Sequence, residues 1–177
     1  MATKKKLLPA LIFLSANAFA LPASADIISD CTQKGDPELG IRGCTAVIRQ
    51  DPRNAAGAYN NRGIFYADKH VYEQAIADYT RAIELNPKQA NAFFNRGNAY
   101  FDKGDYDEAI TDYTRAILLD PNNGPAFFKR GIAHYAKGDY AQAIADYTGA
   151  IAIEPRRDCR RQFCLSHAAM AVSGIMA

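Results

Sequence analysis

Four cysteines, three histidines and a regular series of arginines and aspartates are the residues in this 177-residue chain with chemistry to offer. Cys164 and His167 stand three apart, so on a helix they share a face, the least that a thiolate nucleophile and its base require. Nothing in the sequence orients that imidazole or supplies donors for an oxyanion, so the pair lacks the rest of a catalytic constellation. Cys159 and Cys164 do not form the C-x-x-C motif of a redox dithiol and suit a local or intermolecular disulfide better. His70 falls at a turn, and His134 falls inside a helical pattern as a core side chain rather than a metal ligand. Asp105, Asp107 and Glu108 crowd the start of a helical pattern, where the helix dipole favours negative charge, and do not read as an acid/base pair. Arg62, Arg96 and Arg130 recur with Asp78, Asp112 and Asp146, a spacing that suits ion pairs across helical hairpins. The alternative is local pairing three residues apart, Asp78 with Arg81 and Asp112 with Arg115. Both readings are architectural. No catalytic residue, cofactor or metal site is expected.

The elements that carry these residues repeat. Gly63, Gly97 and Gly131 are 34 residues apart, as are Ala75, Ala109 and Ala143, Tyr79, Tyr113 and Tyr147, and Pro87, Pro121 and Pro155. Each unit divides into two amphipathic helical patterns, with apolar residues at three- and four-residue steps. The first patterns cover Ala56–Asp68, Ala90–Asp102 and Pro125–Ala136, and the second Tyr72–Leu85, Tyr106–Leu119 and Tyr140–Ile153. Between them, "KGD" at Lys103–Asp105 and Lys137–Asp139 offers a glycine for a left-handed turn, whereas the first unit has His70 there at some local cost. The dipeptides "NP", "DP" and "EP" close the units, because proline cannot continue a helix. Gly63 and Ala75, with their equivalents, allow the two helices to approach closely, and Tyr66, Tyr79 and Ala82 fill the space beside them. A single hairpin buries only one face, so neighbouring units must stack to complete the core.

The ends differ from this body. Lys4, Lys5 and Lys6 precede the apolar run Leu7–Leu21, and Ala23, Ser24 and Ala25 follow, the order of a cleavable export signal over residues 1–25. Cleavage is expected before Asp26, with Ala18–Ala20 as a second site. The run is shorter than the ~20 apolar residues of a membrane span, so no span is expected after cleavage. The destination in a Gram-negative bacterium is the periplasm, and otherwise the exterior. The formal charge of +2 includes three charges from those lysines and a net three from "RRDCRR" (Arg156–Arg161), which leaves the body at −4. Such a body lacks the concentrated basic surface that a nucleic acid requires.

The glycine, aromatic, alanine, aromatic, alanine and proline pattern resembles the tetratricopeptide repeat (TPR). The resemblance covers residues 54–155 as three repeats, 54–87, 88–121 and 122–155. Departures are Arg62, Arg96 and Arg130, where the family usually has leucine, and Tyr59, Phe93 and Phe127, where it usually has tryptophan. The resemblance implies an all-α fold, a right-handed superhelical solenoid of stacked hairpins. Residues 26–53 match as a partial repeat, and the register places Cys44 at the Tyr113 position and Cys31 at the Tyr100 position, on facing helices. Those positions are expected to touch, and in an exported chain a Cys31–Cys44 disulfide follows from the pairing. Residues 156–177 leave the pattern and read either as a capping helix, with Phe163, His167 and Met170 inward, or as a truncated repeat.

In the family, the first helices line a concave groove that receives peptides. Mapped here, that surface comprises Asn60, Ile64, Ala67, Asn91, Phe94, Asn98, Phe101, Phe128, Ile132 and Tyr135, with Asn61, Asn95 and Lys129 at its edge. Amides can pair with a ligand's backbone and aromatics can supply anchoring area; the alternative for Phe94 and Phe128 is packing against neighbouring repeats. Relatives that grip a C-terminal carboxylate use paired lysines and an arginine; only Asn95 and Lys129 match here, so the resemblance does not extend to that specificity. The function implied is an extracytoplasmic, non-enzymatic adaptor for a protein or peptide ligand. The alternatives are a self-associating structural protein and, from Cys164 and His167, a thiol-dependent enzyme.

Overall fold

The computed structural model describes residues 24–32 and 35–153 together with the single positions 166 and 169. Residues 1–23, which hold most of the expected export signal, and Cys159, Cys164 and His167 of the tail lie outside the described residues. The described helices are α1 (Ser24–Thr32), α2 (Pro37–Gln50), α3 (Ala55–Asp68), α4 (Tyr72–Leu85), α5 (Ala90–Lys103), α6 (Tyr106–Leu119), α7 (Gly124–Lys137) and α8 (Tyr140–Ile153). One 3-10 turn, Pro52–Asn54, joins α2 to α3. No strand occurs among the described residues, and none of their helices is long and apolar enough to cross a membrane. Helix boundaries fall within a residue of those expected from the periodicity.

Local chemistry explains the punctuation. Gly104 (φ 89°) and Gly138 (φ 85°) end α5 and α7 in the left-handed conformation, and His70 adopts the same conformation after α3 (φ 58°). At the other boundary Asp51, Asn86 and Asp120 each stand before a proline and accept a hydrogen bond from the backbone N–H two residues on. That turn satisfies a backbone donor where the helix cannot continue.

Tyr79, Tyr113 and Tyr147 are the largest fully buried side chains, and they set the hairpin spacing. A methyl group at Gly63 would lie 2.6 Å from the Tyr79 ring; at Gly97 it would lie 2.9 Å from Tyr113, and at Gly131 2.7 Å from Tyr147. Each glycine therefore makes room for a tyrosine ring of the facing helix. Alanines complete the layer, with Ala75, Ala82, Ala109, Ala116 and Ala143 fully buried. Burying such an aromatic ring contributes about 2–3 kcal/mol.

The arginine series forms the struts of the array. Arg62 donates from Nε and Nη2 to the two carboxylate oxygens of Asp78, both at 2.7 Å. Arg96 holds Asp112 at 2.7 and 2.8 Å, and Arg130 holds Asp146 at 2.9 and 2.6 Å. The hydrogen-bonded carboxylates raise Arg62 and Arg96 above the ordinary guanidinium value. The remaining Nη1 donates to Thr45, Thr80 or Thr114 of the preceding hairpin, so each guanidinium also ties two repeats together. It lies over the ring of Tyr59, Phe93 or Phe127 at 5.3–5.8 Å. These partners account for arginine standing where a leucine is usual: the aromatic beside it takes a cation on its face. The local alternative does not form, since Arg81 pairs with Glu84 at 2.6 Å instead of Asp78.

Cys31 and Cys44 are joined by a disulfide with a Cα–Cα separation of 4.5 Å. It fastens the nine-residue α1, too short to be stable alone, to α2.

Candidate binding groove

Every helix packs against its neighbours in sequence, but a second set of contacts gives the array its shape. The first helices of successive hairpins touch, α1 with α3, α3 with α5 and α5 with α7, whereas the second helices do not pack on one another to a comparable extent. Contact on one side and spreading on the other make the first-helix side concave.

Amide side chains stitch that inner face. Asn95 Nδ2 donates to Asn60 Oδ1 at 3.1 Å, Asn60 Nδ2 donates to Asn61 Oδ1 at 3.4 Å, and Asn61 Nδ2 donates to the Cys31 carbonyl at 3.2 Å. Asn60 is buried and belongs to the wall of the groove, not to its open surface. Asn61 lies at a separate dent of about 190 Å³ beside Ile28 and Cys31.

The aromatic positions are largely engaged within their own hairpins. Phe94 packs on Tyr113 (5.8 Å between ring centroids) and Phe128 on Tyr147 (6.0 Å). Phe101 meets Tyr106 at 5.3 Å, and Tyr135 meets Tyr140 at 5.4 Å. Ile132 joins the half-buried shell around Tyr147, and Asn91 is exposed.

What remains open is a cavity of about 420 Å³ on the concave face. Ile64, Ala67 and Asp68 enter it from α3, Asn95, Asn98, Ala99 and Asp102 from α5, and Lys129 from α7. His70, Tyr72 and Tyr79 complete it. Thus five of the mapped groove residues, Ile64, Ala67, Asn95, Asn98 and Lys129, share one cavity, and none of the mapped aromatics lines it. Tyr113 donates its hydroxyl to Asn98 Oδ1 at 2.9 Å, which fixes that amide while its N–H donors stay available to a ligand. The Lys129 ammonium stands 5.7 Å from the centre of the Phe101 ring. His70 Nδ1 and the Tyr72 hydroxyl are 2.7 Å apart, so the left-handed turn is pinned to the start of α4. Burial, and then the charges of Asp68 and Asp78, push the Tyr79 hydroxyl well above its ordinary value, and burial with Asp102 and Asp112 does the same to Tyr113. Both phenols are neutral donors at physiological pH. No group of three or more histidine, cysteine, aspartate or glutamate side chains is placed to hold a metal among the described residues.

Sequence reasoning missed Asp68, His70, Tyr72 and Asp102 in this cavity. A signal was available for the two aspartates, which stand 34 residues apart in the first and second full repeats.

A stack of antiparallel helical hairpins with a concave inner face defines a repeat solenoid of the interaction type. The chain belongs to the tetratricopeptide repeat family: its repeat models match residues 66–104, 97–138 and 124–157. Among solved structures it is similar to the second TPR domain of human RPAP3 in complex with the HSP70 peptide SGPTIEEVD. The two are 31% identical, with 66% of this chain and 93% of that one covered and a TM-score of 0.61. It is also similar to MamA protein, at 26% identity, 86% coverage of both chains and a TM-score of 0.70. The fold, though less of the sequence, is shared with residues 41 to the end of MamA from Desulfovibrio magneticus RS-1, at 18% identity, coverage of 86% and 89%, and a TM-score of 0.71. Comparison with curated proteins finds no match.

Proposed function

We propose that this protein is an extracytoplasmic adaptor, which acts by binding a protein or peptide in its concave groove and not by catalysis. The observation that carries this reading is the cavity between α3 and α5, where a floor of Ile64, Ala67 and Ala99 is framed by the amides of Asn95 and Asn98. An extended peptide has the complementary form: backbone carbonyls to accept from the amides, and side chains to cover the floor. The RPAP3 domain, a similar stack, binds a peptide. The export reading rests on the lysine-led apolar segment at the N-terminus and on the disulfide, which persists in an oxidising compartment.

The test is photo-crosslinking in cells, with a benzophenone side chain placed at Ala67 in the groove or at Thr111 on the exposed face of α6. A discrete adduct from position 67 and none from 111 is the expected result. Equal or absent crosslinking from both positions would reject the groove. Fractionation of the same cells, with the protein recovered from the cytoplasm and residues 1–25 intact, would reject export.

A further inference from the structure

The geometry points to a ligand with a lysine or arginine side chain, whose charged head pairs with Asp68 and Asp102 in the cavity between the first and second full repeats. This rests on the groove reading above and adds the charge of what the groove accepts.

The two aspartates are distinguished by what they lack. The lysine that follows each of them is engaged by other acids: Lys69 pairs with Glu38 of the preceding hairpin, and Lys103 with Asp105 of its own turn and Glu73 of the preceding hairpin. The same arrangement recurs in the third repeat, where Lys137 pairs with Asp107. Asp78, Asp112 and Asp146 are likewise taken, each by its arginine strut. Asp68 and Asp102 make no ion pair among the described residues, and both are exposed at the wall of one cavity. In the third repeat the corresponding residue is Ala136, so the negative charge is confined to this cavity and does not run along the groove.

The rest of the lining suits a long cationic side chain. Lysine and arginine carry an apolar stem that can lie on apolar surface while the head reaches a charged partner. Ile64, Ala67 and the Tyr79 ring supply that surface, and Tyr72 supplies an aromatic wall. The phenols of Tyr79 and Tyr113 stay neutral beside the two carboxylates and add no negative charge of their own. Lys129 is the cavity's one lysine or arginine, against two carboxylates. An acidic ligand side chain would meet one ammonium and two like charges. A basic one meets the reverse, and Lys129 is left to face a carbonyl or carboxylate elsewhere on the same peptide.

The experiment pans a random nonapeptide phage library on the full-length protein and crosslinks the selected peptides to benzophenone at position 67. The expected result is a pool that crosslinks at 67 and is enriched in lysine and arginine. Binding of its members should fall about tenfold in the Asp68→Asn/Asp102→Asn variant, as loss of two partly solvated charge pairs implies. Selection on Asp68→Lys/Asp102→Lys should turn toward glutamate and aspartate. A pool that crosslinks at 67 without basic enrichment, or that is indifferent to Asp68→Asn/Asp102→Asn, overturns this inference and leaves the groove reading standing. A pool that binds without crosslinking at 67 overturns both. Unchanged helical circular dichroism in each variant shows that the effects arise in the cavity and not from unfolding.

Discussion

Consider the removal of one strut. Asp112 is buried, with 4% of its side chain exposed, and receives two charge-assisted hydrogen bonds from Arg96, which is itself only 19% exposed. Asp112→Ala deletes both bonds and leaves a mostly buried guanidinium with Thr80 at 3.0 Å and the Phe93 face as its remaining partners. Breaking a buried pair from one side costs about 3–5 kcal/mol, because an uncompensated charge stays behind. Partial solvation of Arg96 and its bond to Thr80 place the value at the lower end, about 3 kcal/mol. For a domain of this size that corresponds to a fall in melting temperature of about 6–12 °C. Removing the charge that was left behind should restore much of the loss. The double variant Arg96→Met/Asp112→Ala is expected to be more stable than the sum of the two single variants allows, by about 2 kcal/mol. Thr80→Val, which removes only the inter-repeat bond, should cost about 1 kcal/mol. Urea unfolding followed by circular dichroism at 222 nm measures the parent, the single variants Asp112→Ala, Arg96→Met and Thr80→Val, and the double variant. If Asp112→Ala falls within about 0.5 kcal/mol of the parent, or the two single effects simply add, the pair is not the fixed element described here.

Three further expectations follow from the packing and the titration of the core. Gly63→Ala should destabilise by about 1–2 kcal/mol net, since its methyl group would lie 2.6 Å from the Tyr79 ring, while Gly57→Ala in the same helix meets nothing within 4 Å and should stabilise by up to about 1 kcal/mol; urea midpoints of opposite sign check the pair. Replacing Cys31 and Cys44 by serine should cost about 3 kcal/mol on the chain-entropy account, with the loss concentrated in α1 and α2, as faster amide exchange in those helices alone would show. Tyr79 and Tyr113 are held above the ordinary value of 10 by burial, so the unfolded chain releases their protons first. Their contribution is intact below about pH 10 and is lost as the pH rises beyond it. The share of the tyrosinate absorbance near 295 nm that disappears in the Tyr79→Phe/Tyr113→Phe variant should therefore develop only as the protein unfolds in an alkaline titration, and its appearance in the fully folded protein would contradict the burial.

The repeat length, the helix boundaries, the glycine turns and the register that pairs Cys31 with Cys44 are written in the sequence, because each follows from local spacing. A period of 34 residues carries one hairpin's contacts to the next by simple addition, so even the arginine–aspartate partners across a hairpin could be named from it. Addition says less about where a side chain is directed once neighbouring hairpins rotate against one another. Thr45, Thr80 and Thr114 gained their role only when stacking brought each one to the guanidinium of the following repeat. Asn60, an unremarkable helical asparagine in one dimension, became a buried tie between α3 and α5 through the same stacking. Phe94 and Phe128, candidates for a ligand surface by position, turned onto the tyrosines of their own hairpins, where ring contact removes more apolar area from water than exposure in a groove. The cavity that remains is lined by parts of α3, α4, α5 and α7 that no single repeat contains. Its charge was decided by competition: the lysines beside Asp68 and Asp102 reached the hairpin behind them, and the two carboxylates were left facing the groove.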